Sequence, residues 1–360
     1  MVNPKKNTGY FALDKEYKFT LNAIPRGRIL NHTIQNSCNM PYNTIVIDHN
    51  GNCLLCICDG WLPIPVGNVL DFESIEDVFN SNIAKVLQKD IDDKKFTWCA
   101  INNCGIQYKN ILRKDYNIII NIDESCNLAC PSCRRDAIMH TAGEMFTIKT
   151  KQVERVVDWL KKFKHPVTIS TSGSGDPLAS LIMRPLIKDW APTSTQLFEI
   201  KTNGLLIKKQ LNGTNIFNSV DRFVISIDAG SKEIYEKVRV GGKWEVLLEN
   251  LEYLHNKNKN KHVSLNFALQ NSNYKDIKNF VLLCEKYKFS GFIHQLDNWG
   301  TWSDTVPLNP DNWTIRNGYF FDHNVLDPSH ENHNDCKYIL QNLQSEYVKI
   351  APAVLSAIGK

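Results

Sequence analysis

No apolar run in these 360 residues approaches the roughly 18 that a membrane-spanning helix needs. The start, Met1 to Tyr10, is polar and lysine-containing, with no apolar stretch behind it, so no secretory signal is expected. There is no internal repeat, no low-complexity block and no long Lys/Arg run. The net charge of +4 is too mild to imply a nucleic-acid partner. No phosphate-binding loop, dinucleotide glycine pattern or Ser/His/Asp constellation stands out. These absences argue against membrane, nucleic-acid, nucleotide-triphosphatase and serine-hydrolase roles, and the expected location is cytoplasmic.

Cysteine is what the chain has in quantity: 11 residues, unevenly placed. In a reducing compartment, clustered cysteines point to metal ligands or catalysis rather than disulfides. Cys38, Cys53, Cys56, Cys58, Cys99 and Cys104 occupy the first third. Cys126, Cys130 and Cys133 sit together, and only Cys284 and Cys336 stand apart. The rest of the composition, 42% hydrophobic and 22% charged, is globular. Such a length can bury a large core, so metal is not needed merely to staple a small fold.

From about Tyr116 onward, short β-branched runs alternate with amphipathic helical segments. Strands are expected at 117–122, 166–170, 197–202, 222–228, 262–269 and 291–296. Helices are expected at 151–163, 178–190 (disturbed by Pro185), 244–254 and 275–287. Alternation of this kind implies parallel βαβ units with right-handed crossovers. Ligands of such sheets bind at the carboxyl ends of the strands. The cysteine triplet follows the first strand, Gly173 to Asp176 the second, Asn203 the third, Asp228 the fourth, Asn271 the fifth, and Asp297 to Trp302 the sixth. The first hundred residues are loop-rich, with a hairpin expected about Asp48 to Gly51 and a short helix at 74–79. Beyond about Asn309 the chain is polar and aromatic, with one helix expected near 335–347.

The triplet reads Cys126-Asn-Leu-Ala-Cys130-Pro-Ser-Cys133. Thiolates ligate iron–sulfur clusters, and a four-iron cluster normally takes four. Three on one loop leave one iron open, as catalytic metal sites leave a position open. A zinc knuckle with a distant fourth ligand is the structural alternative.

At these residues the chain resembles the radical S-adenosylmethionine (SAM) superfamily. The resemblance implies an α/β fold, a partial (βα)6 TIM-like barrel, holding a 4Fe–4S cluster on Cys126, Cys130 and Cys133. It implies S-adenosylmethionine as cofactor and an oxidoreductase-type radical enzyme: reduction splits SAM to a 5′-deoxyadenosyl radical, which takes hydrogen from a substrate. Gly173-Ser174-Gly175-Asp176-Pro177 resembles the family's glycine-rich second-strand element, with Asp for Glu, and implies a SAM-ammonium site at Gly173, Gly175 and Asp176. Asn203 resembles the third-strand element, and Ser226 and Asp228 the fourth-strand element near the SAM ribose and carboxylate. Gln270 and Asn271 match more weakly. Ser132 stands where many members have an aromatic beside the adenine.

Cys38 to Cys104 resembles a SPASM/Twitch auxiliary-cluster module. The features are Cys38, twelve residues to Gly51, four more to Cys56, the Pro65-Val66-Gly67-Asn68-Val69 turn and Cys99-x4-Cys104. The resemblance implies an auxiliary 4Fe–4S cluster on Cys38, Cys56, Cys99 and Cys104. Cys53 and Cys58 remain alternates or free thiols, and strand parity does not choose between them. Such modules commonly follow the barrel, whereas this one precedes it. The expected organisation is a small Cys-rich, loop-rich auxiliary Fe–S domain at 1–112, the barrel at 113–308 and an extension at 309–360. The family implies a flavodoxin or ferredoxin reductant and a peptide or small-molecule substrate. A zinc- or cluster-stabilised binding protein and a SAM-dependent methyl transferase are the rivals. His330-x2-His333-x2-Cys336 has metal-like spacing in a polar tail, Cys284 reads as core, and Asn298, Trp299 and Trp302 could line a cavity or pack against the module.

Overall fold

In the computed structural model the described residues are 34–57, 62, 64–99, 104, 106, 109–134, 136–171, 174–257, 261–297 and 318–360. Chain order begins with α1 (Met40–Asn43), β1 (Thr44–Ile47), β2 (Asn52–Leu54) and β3 (Gly67–Asn68), then α2 (Ile75–Asn80) and α3 (Asn82–Asp92). The hairpin forms as expected: β1 and β2 pair antiparallel with Val46 opposite Leu54. Gly51 closes it at φ +81°, a conformation that costs a side-chain-bearing residue strain, and a Cβ there would overlap the Gln152 side chain.

Six parallel strands then follow in sequence and in space. They are β4 (Tyr116–Ile120), β5 (Val167–Thr171), β6 (Gln196–Thr202), β7 (Arg222–Ser226), β8 (His262–Leu269) and β9 (Ser290–Gln295). Their inner positions, such as Ile118, Ile120, Ile169, Phe198, Ile200, Phe223, Ile225, Leu265 and Phe267, are at most 1% exposed. Helices α4 (Glu144–Lys162), α5 (Ile207–Leu211), α6 (Asn215–Ser219), α7 (Lys232–Val238), α8 (Trp244–Lys257) and α9 (Ile277–Tyr287) connect them. This is the parallel βαβ arrangement expected from the alternation and the partial TIM-like barrel that the family resemblance implies, and each strand falls within two residues of its expected place.

Three features differ from expectation. Helix α4 starts seven residues before the expected Lys151: its first two turns are largely exposed, and the one side chain they bury is the polar Lys149. Lys149 and Gln152 are nearly inaccessible, and they donate to His49 O and Asn50 O of the amino-terminal hairpin. An apolar-periodicity reading misses such a face. The helix expected at 178–190 is instead a run of turns ending in a π-helical segment, Pro185–Asp189. Pro185 lacks the N–H that an α-helix would need there. The tail after α10 (Gly318–His323) and α11 (His333–Gln341) supplies β10 (Val348–Ile350), parallel to β9, before α12 (Pro352–Ala357).

The amino-terminal strands are not a separate layer. β1 pairs parallel with β4, Thr44 opposite Asn117 through Ile47 opposite Ile120, so the sheet runs β10-β9-β8-β7-β6-β5-β4-β1-β2-β3. Among the described residues, no helix is long and apolar enough to cross a membrane.

Candidate cluster and cofactor sites

The chain leaves β4 extended and turns at Cys126, whose N–H donates to Ile138 O at 2.7 Å. Cys133 N and Arg134 N both donate to Cys130 O, closing a tight turn around the third cysteine. Ala129 N reaches Val240 O from the segment after α7, which ties the loop to the β7 side of the barrel. Cys130 is buried, and Cys126 and Cys133 are partly exposed.

Each of the three sulfurs has a side-chain nitrogen donor beside it, and Cys126 also takes the Leu128 backbone N–H. Asn203 Nδ2 lies 3.9 Å from Cys126 Sγ, Arg239 Nη1 lies 3.7 Å from Cys130 Sγ, and Arg134 Nη2 lies 3.5 Å from Cys133 Sγ. Burial raises the Cys126 thiol to about 11, with Asp176 adding to the effect. Burial also raises Cys130, opposed by the Arg239 charge. Two guanidiniums and an amide aimed at three sulfurs suit thiolates, because hydrogen bonds to an anion are the strong ones. This donor set fits a cluster held by three cysteines.

Neither guanidinium was found by sequence reasoning. Arg134 is 3% exposed and also donates to Glu124 O at 2.6 Å and Ser174 O at 2.5 Å, so it clamps the cluster loop to the second-strand loop. Its position next to Cys133 was the available signal. Arg239 pairs through Nη2 with Asp228 Oδ2 at 2.6 Å, and its charged form is favoured by Asp228 and Cys130 despite burial. The Val238-Arg239-Val240-Gly241-Gly242 run carried that signal.

The residues expected to hold SAM are brought to the same end of the sheet, but their carboxylates face inward. Asp176 is 3% exposed. Its Oδ2 accepts from Thr202 Oγ1 at 2.8 Å and Asn203 N at 2.7 Å; its Oδ1 accepts from Leu178 N at 2.9 Å and Ala179 N at 3.3 Å. Four protein donors thus contact this carboxylate, two on each oxygen. Asp228, at φ +53°, accepts from Ala268 N at 2.8 Å with the oxygen not given to Arg239. Gly175 has its own structural reason: a Cβ there would strike the carbonyl of Ser125 and come within 2.7 Å of Asp123 O. Ser226 ends β7, partly exposed, and Asn203 also donates to Asn127 Oδ1 at 2.9 Å. Gly173 lies outside the described residues, as do Cys58, Asn298, Trp299 and Trp302.

In the amino-terminal module, Cys38, Cys56, Cys99 and Cys104 come together. Burial pushes Cys99 well above an ordinary thiol, and Cys56, Cys38 and Cys104 raise it further. Cys38 is likewise raised by burial, with Cys104 contributing. Ile34, Ile91, Phe96 and Ile106 form the small core behind Cys38, Cys99 and Cys104. Cys53 is elsewhere: it sits on β2, fully buried in the main core, nearer Asp48 and Asp71 than any cysteine. Cys284 is core as expected. His333 and Cys336 are buried, with His333 Nδ1 beside Val325 O and His330 Nε2 beside Asp322 O, so their spacing reflects packing of α11.

Residues 120–284 match the Radical SAM superfamily, and residues 38–105 match SPASM, an iron–sulfur cluster-binding domain. An AdoMet-dependent heme synthase of Oleidesulfovibrio alaskensis is 30% identical over 166 residues, 46% of this chain and 41% of the relative. One of the same name from Nitratidesulfovibrio vulgaris is 26% identical over 166 residues, 46% of this chain and 43% of the relative. The chain therefore spans less than half the length of these curated relatives. Among solved structures, Streptococcus suis SuiB bound to precursor peptide SuiA aligns over 79% of this chain and 64% of that one, at 15% identity and a TM-score of 0.43.

Proposed function

We propose that this chain, which contains a radical SAM domain and a SPASM iron–sulfur domain, is an enzyme that reductively cleaves SAM and uses the radical formed to abstract hydrogen from a peptide or small molecule. The observation that carries the reading is the triplet at the carboxyl end of β4, with a side-chain nitrogen donor on each of its three sulfurs. Cys126, Cys130 and Cys133 would hold the cluster, which when bound would supply the electron for reductive cleavage of SAM. Arg134, Arg239 and Asn203 stabilise negative charge on the three sulfurs. Asp176 fixes Asn203, and Asp228 fixes Arg239, so the two expected SAM carboxylates act as positioning residues. Ser226, Asn203 and the Arg239 guanidinium are the polar groups left to meet SAM at the strand ends. Tyr319, whose hydroxyl donates to Gln270 Oε1 at 2.7 Å, is within electrostatic reach of Asp228 and Cys130 and borders the same space.

Cys38, Cys56, Cys99 and Cys104 are the proposed ligands of an auxiliary four-iron cluster that passes electrons or shapes the substrate site. Zinc would draw four sulfurs to about 3.8 Å of one another, from Zn–S bonds of about 2.3 Å. Among the described residues, the group of three metal-ligating side chains with all ligand atoms within 4.8 Å contains no cysteine, so both cysteine sets are more widely spaced than one zinc ion requires. The proposed reductant is a low-potential flavodoxin or ferredoxin. The partial match to heme synthases leaves the substrate class open, since it covers 41% of the first relative.

The test is anaerobic reconstitution followed by dithionite reduction with SAM. The wild type should carry iron and sulfide and release 5′-deoxyadenosine; the triple variant Cys126→Ala/Cys130→Ala/Cys133→Ala should keep auxiliary iron and release none. A colourless zinc protein supports the binding-protein rival, and S-adenosylhomocysteine as product supports methyl transfer.

A further inference from the structure

We propose that Asp123, Glu124 and His140 form a binding site for a divalent cation of the borderline first-row class, beside the proposed radical cluster and distinct from both cysteine sets. One ligand atom from each of these three side chains lies within 4.8 Å of the other two. Two carboxylates and one imidazole make a mixed O/N donor set, which suits Mn²⁺, Fe²⁺ or Zn²⁺ better than the all-oxygen shell preferred by Mg²⁺.

An orphaned buried carboxylate is the second and independent observation. Asp123 is 6% exposed. Its Oδ2 accepts from Ser180 Oγ at 2.5 Å, while Oδ1 is buried without a hydrogen-bond partner. No ion pair to Asp123 exists among the described residues, whereas Glu124 has Lys149 at 2.5 Å. A buried ionised oxygen without a donor or counter-charge is costly, and a bound cation relieves that cost. His140 Nε2 faces Glu124 Oε1 at 3.3 Å.

The surrounding contacts hold the three groups in place, as outer contacts do in metal sites. Lys149 Nζ spends its donors on His49 O at 2.5 Å, Ile122 O at 2.8 Å and Glu124 Oε2, so the other Glu124 oxygen is turned toward His140. His140 N donates to Ser125 Oγ at 2.9 Å, which fixes the ring-bearing residue against the same loop. Three protein ligands leave positions for water. Bound there, the ion joins the strand end at 123–124 to residue 140, the two ends of the loop that carries Cys126, Cys130 and Cys133. Its role is to brace that loop.

Mn²⁺ is the probe, because, of these three ions, it binds thiolates most weakly and free aqueous Mn²⁺ has a six-line EPR spectrum that bound Mn²⁺ loses. The reconstituted full chain, with its clusters oxidised, is titrated anaerobically with MnCl₂. The expected result is loss of the free signal until one ion per chain is bound, with ¹⁴N coupling from an imidazole in the pulsed EPR spectrum. Asp123→Asn and His140→Ala should each weaken binding about tenfold or more at unchanged iron and sulfide content, and His140→Ala should lose the ¹⁴N coupling. A free signal that rises from the first addition overturns the proposal, as does a wild-type spectrum without ¹⁴N coupling, which needs no variant. Wild-type affinity in both variants overturns it equally.

Discussion

Replacing Asp176 with alanine separates two roles for one carboxylate. As a direct ligand of the SAM ammonium, it would matter mainly when SAM is bound, and the SAM-free protein would tolerate its loss. As the structure has it, the carboxylate holds Thr202 Oγ1, Asn203 N, Leu178 N and Ala179 N. A hydrogen bond to a charged group is worth about 1.5–3 kcal/mol. The four do not add, and burial, which raises this carboxyl above its ordinary value despite the donors, offsets part of the gain. Truncation leaves the Asn203 and Leu178 N–H groups and the Thr202 hydroxyl without their carboxylate acceptor, while Ala179 N keeps the Asp176 carbonyl, for a net cost of about 3 kcal/mol. At about 2–4 °C per kcal/mol for a domain of roughly 150–250 residues, Tm should fall by about 6–12 °C without SAM. SAM affinity should fall as well, because Asn203 loses its backbone anchor. The assay is thermal unfolding by circular dichroism on reconstituted protein, paired with SAM titration. A Tm within about a degree of wild type, with SAM affinity alone reduced, would refute this reasoning and return Asp176 to the ligand shell.

Other perturbations read other parts of the structure. Arg239→Ala leaves Asp228 buried without its partner and Cys130 without its cation; it should cost about 3–5 kcal/mol and lower the cluster's reduction potential, measured by redox titration under EPR, and an unchanged potential would remove Arg239 from the sulfur's surroundings. Cys38→Ala and Cys99→Ala should each lower iron per chain while Cys53→Ala keeps it, since Cys53 faces the main core; equal iron loss at Cys53 and Cys99 would show the proposed ligand set to be wrong. Gly175→Ala should fail to accumulate as folded, iron-loaded protein, because its Cβ meets backbone rather than a movable side chain, and normal yield and iron content would contradict this. His262 is pushed below its ordinary 6.5 by burial and then by Arg222, so the folded chain binds its proton less readily than the unfolded chain. Stability from this group is therefore constant above about 6.5 and falls as pH drops through that range; urea midpoints at pH 7.5 and 6.0 should show a smaller difference in His262→Gln than in wild type, and equal differences would exclude the effect.

The barrel was legible because its strands declare themselves locally. Three consecutive isoleucines in β4, and the alternation of buried and partly exposed residues along β8, are period signals that survive without tertiary context. The cysteine spacing was equally plain. What sequence could not supply was direction. Asp176 and Asp228 sit at the right strand ends, but only the fold shows both carboxylates committed to protein donors. Arg134 and Arg239 were invisible for the converse reason: a guanidinium reads as surface until a buried partner is placed beside it. The first turns of α4 concealed the helix's start, because they are largely exposed and the one side chain they bury, Lys149, is held like Gln152 beyond it by hydrogen bonding to the hairpin and not by hydrophobicity.

That same pair of residues bears on the unusual order of the two modules. A small domain preceding a barrel could be an appendage on a linker, and the composition change near residue 112 suggests as much. The pairing of β1 with β4 argues otherwise. β4 is the strand that delivers Cys126, and without β1 its outer edge would present unpaired N–H and C=O groups beside Ile118 and Ile120. Lys149 and Gln152 reach from α4 to His49 O and Asn50 O across the same seam. Cys56 follows directly from β2, the hairpin partner of β1. The proposed auxiliary site and the triplet are therefore attached to strands of one sheet, β2 and β4, with β1 between them. A displacement of the hairpin must move β1 against β4, pull on Lys149, and through Glu124 disturb the loop that carries the triplet. Placing the module first in the chain makes its hairpin the sheet neighbour of the cluster-bearing strand, a rigid mechanical link that a flexible tether would not give.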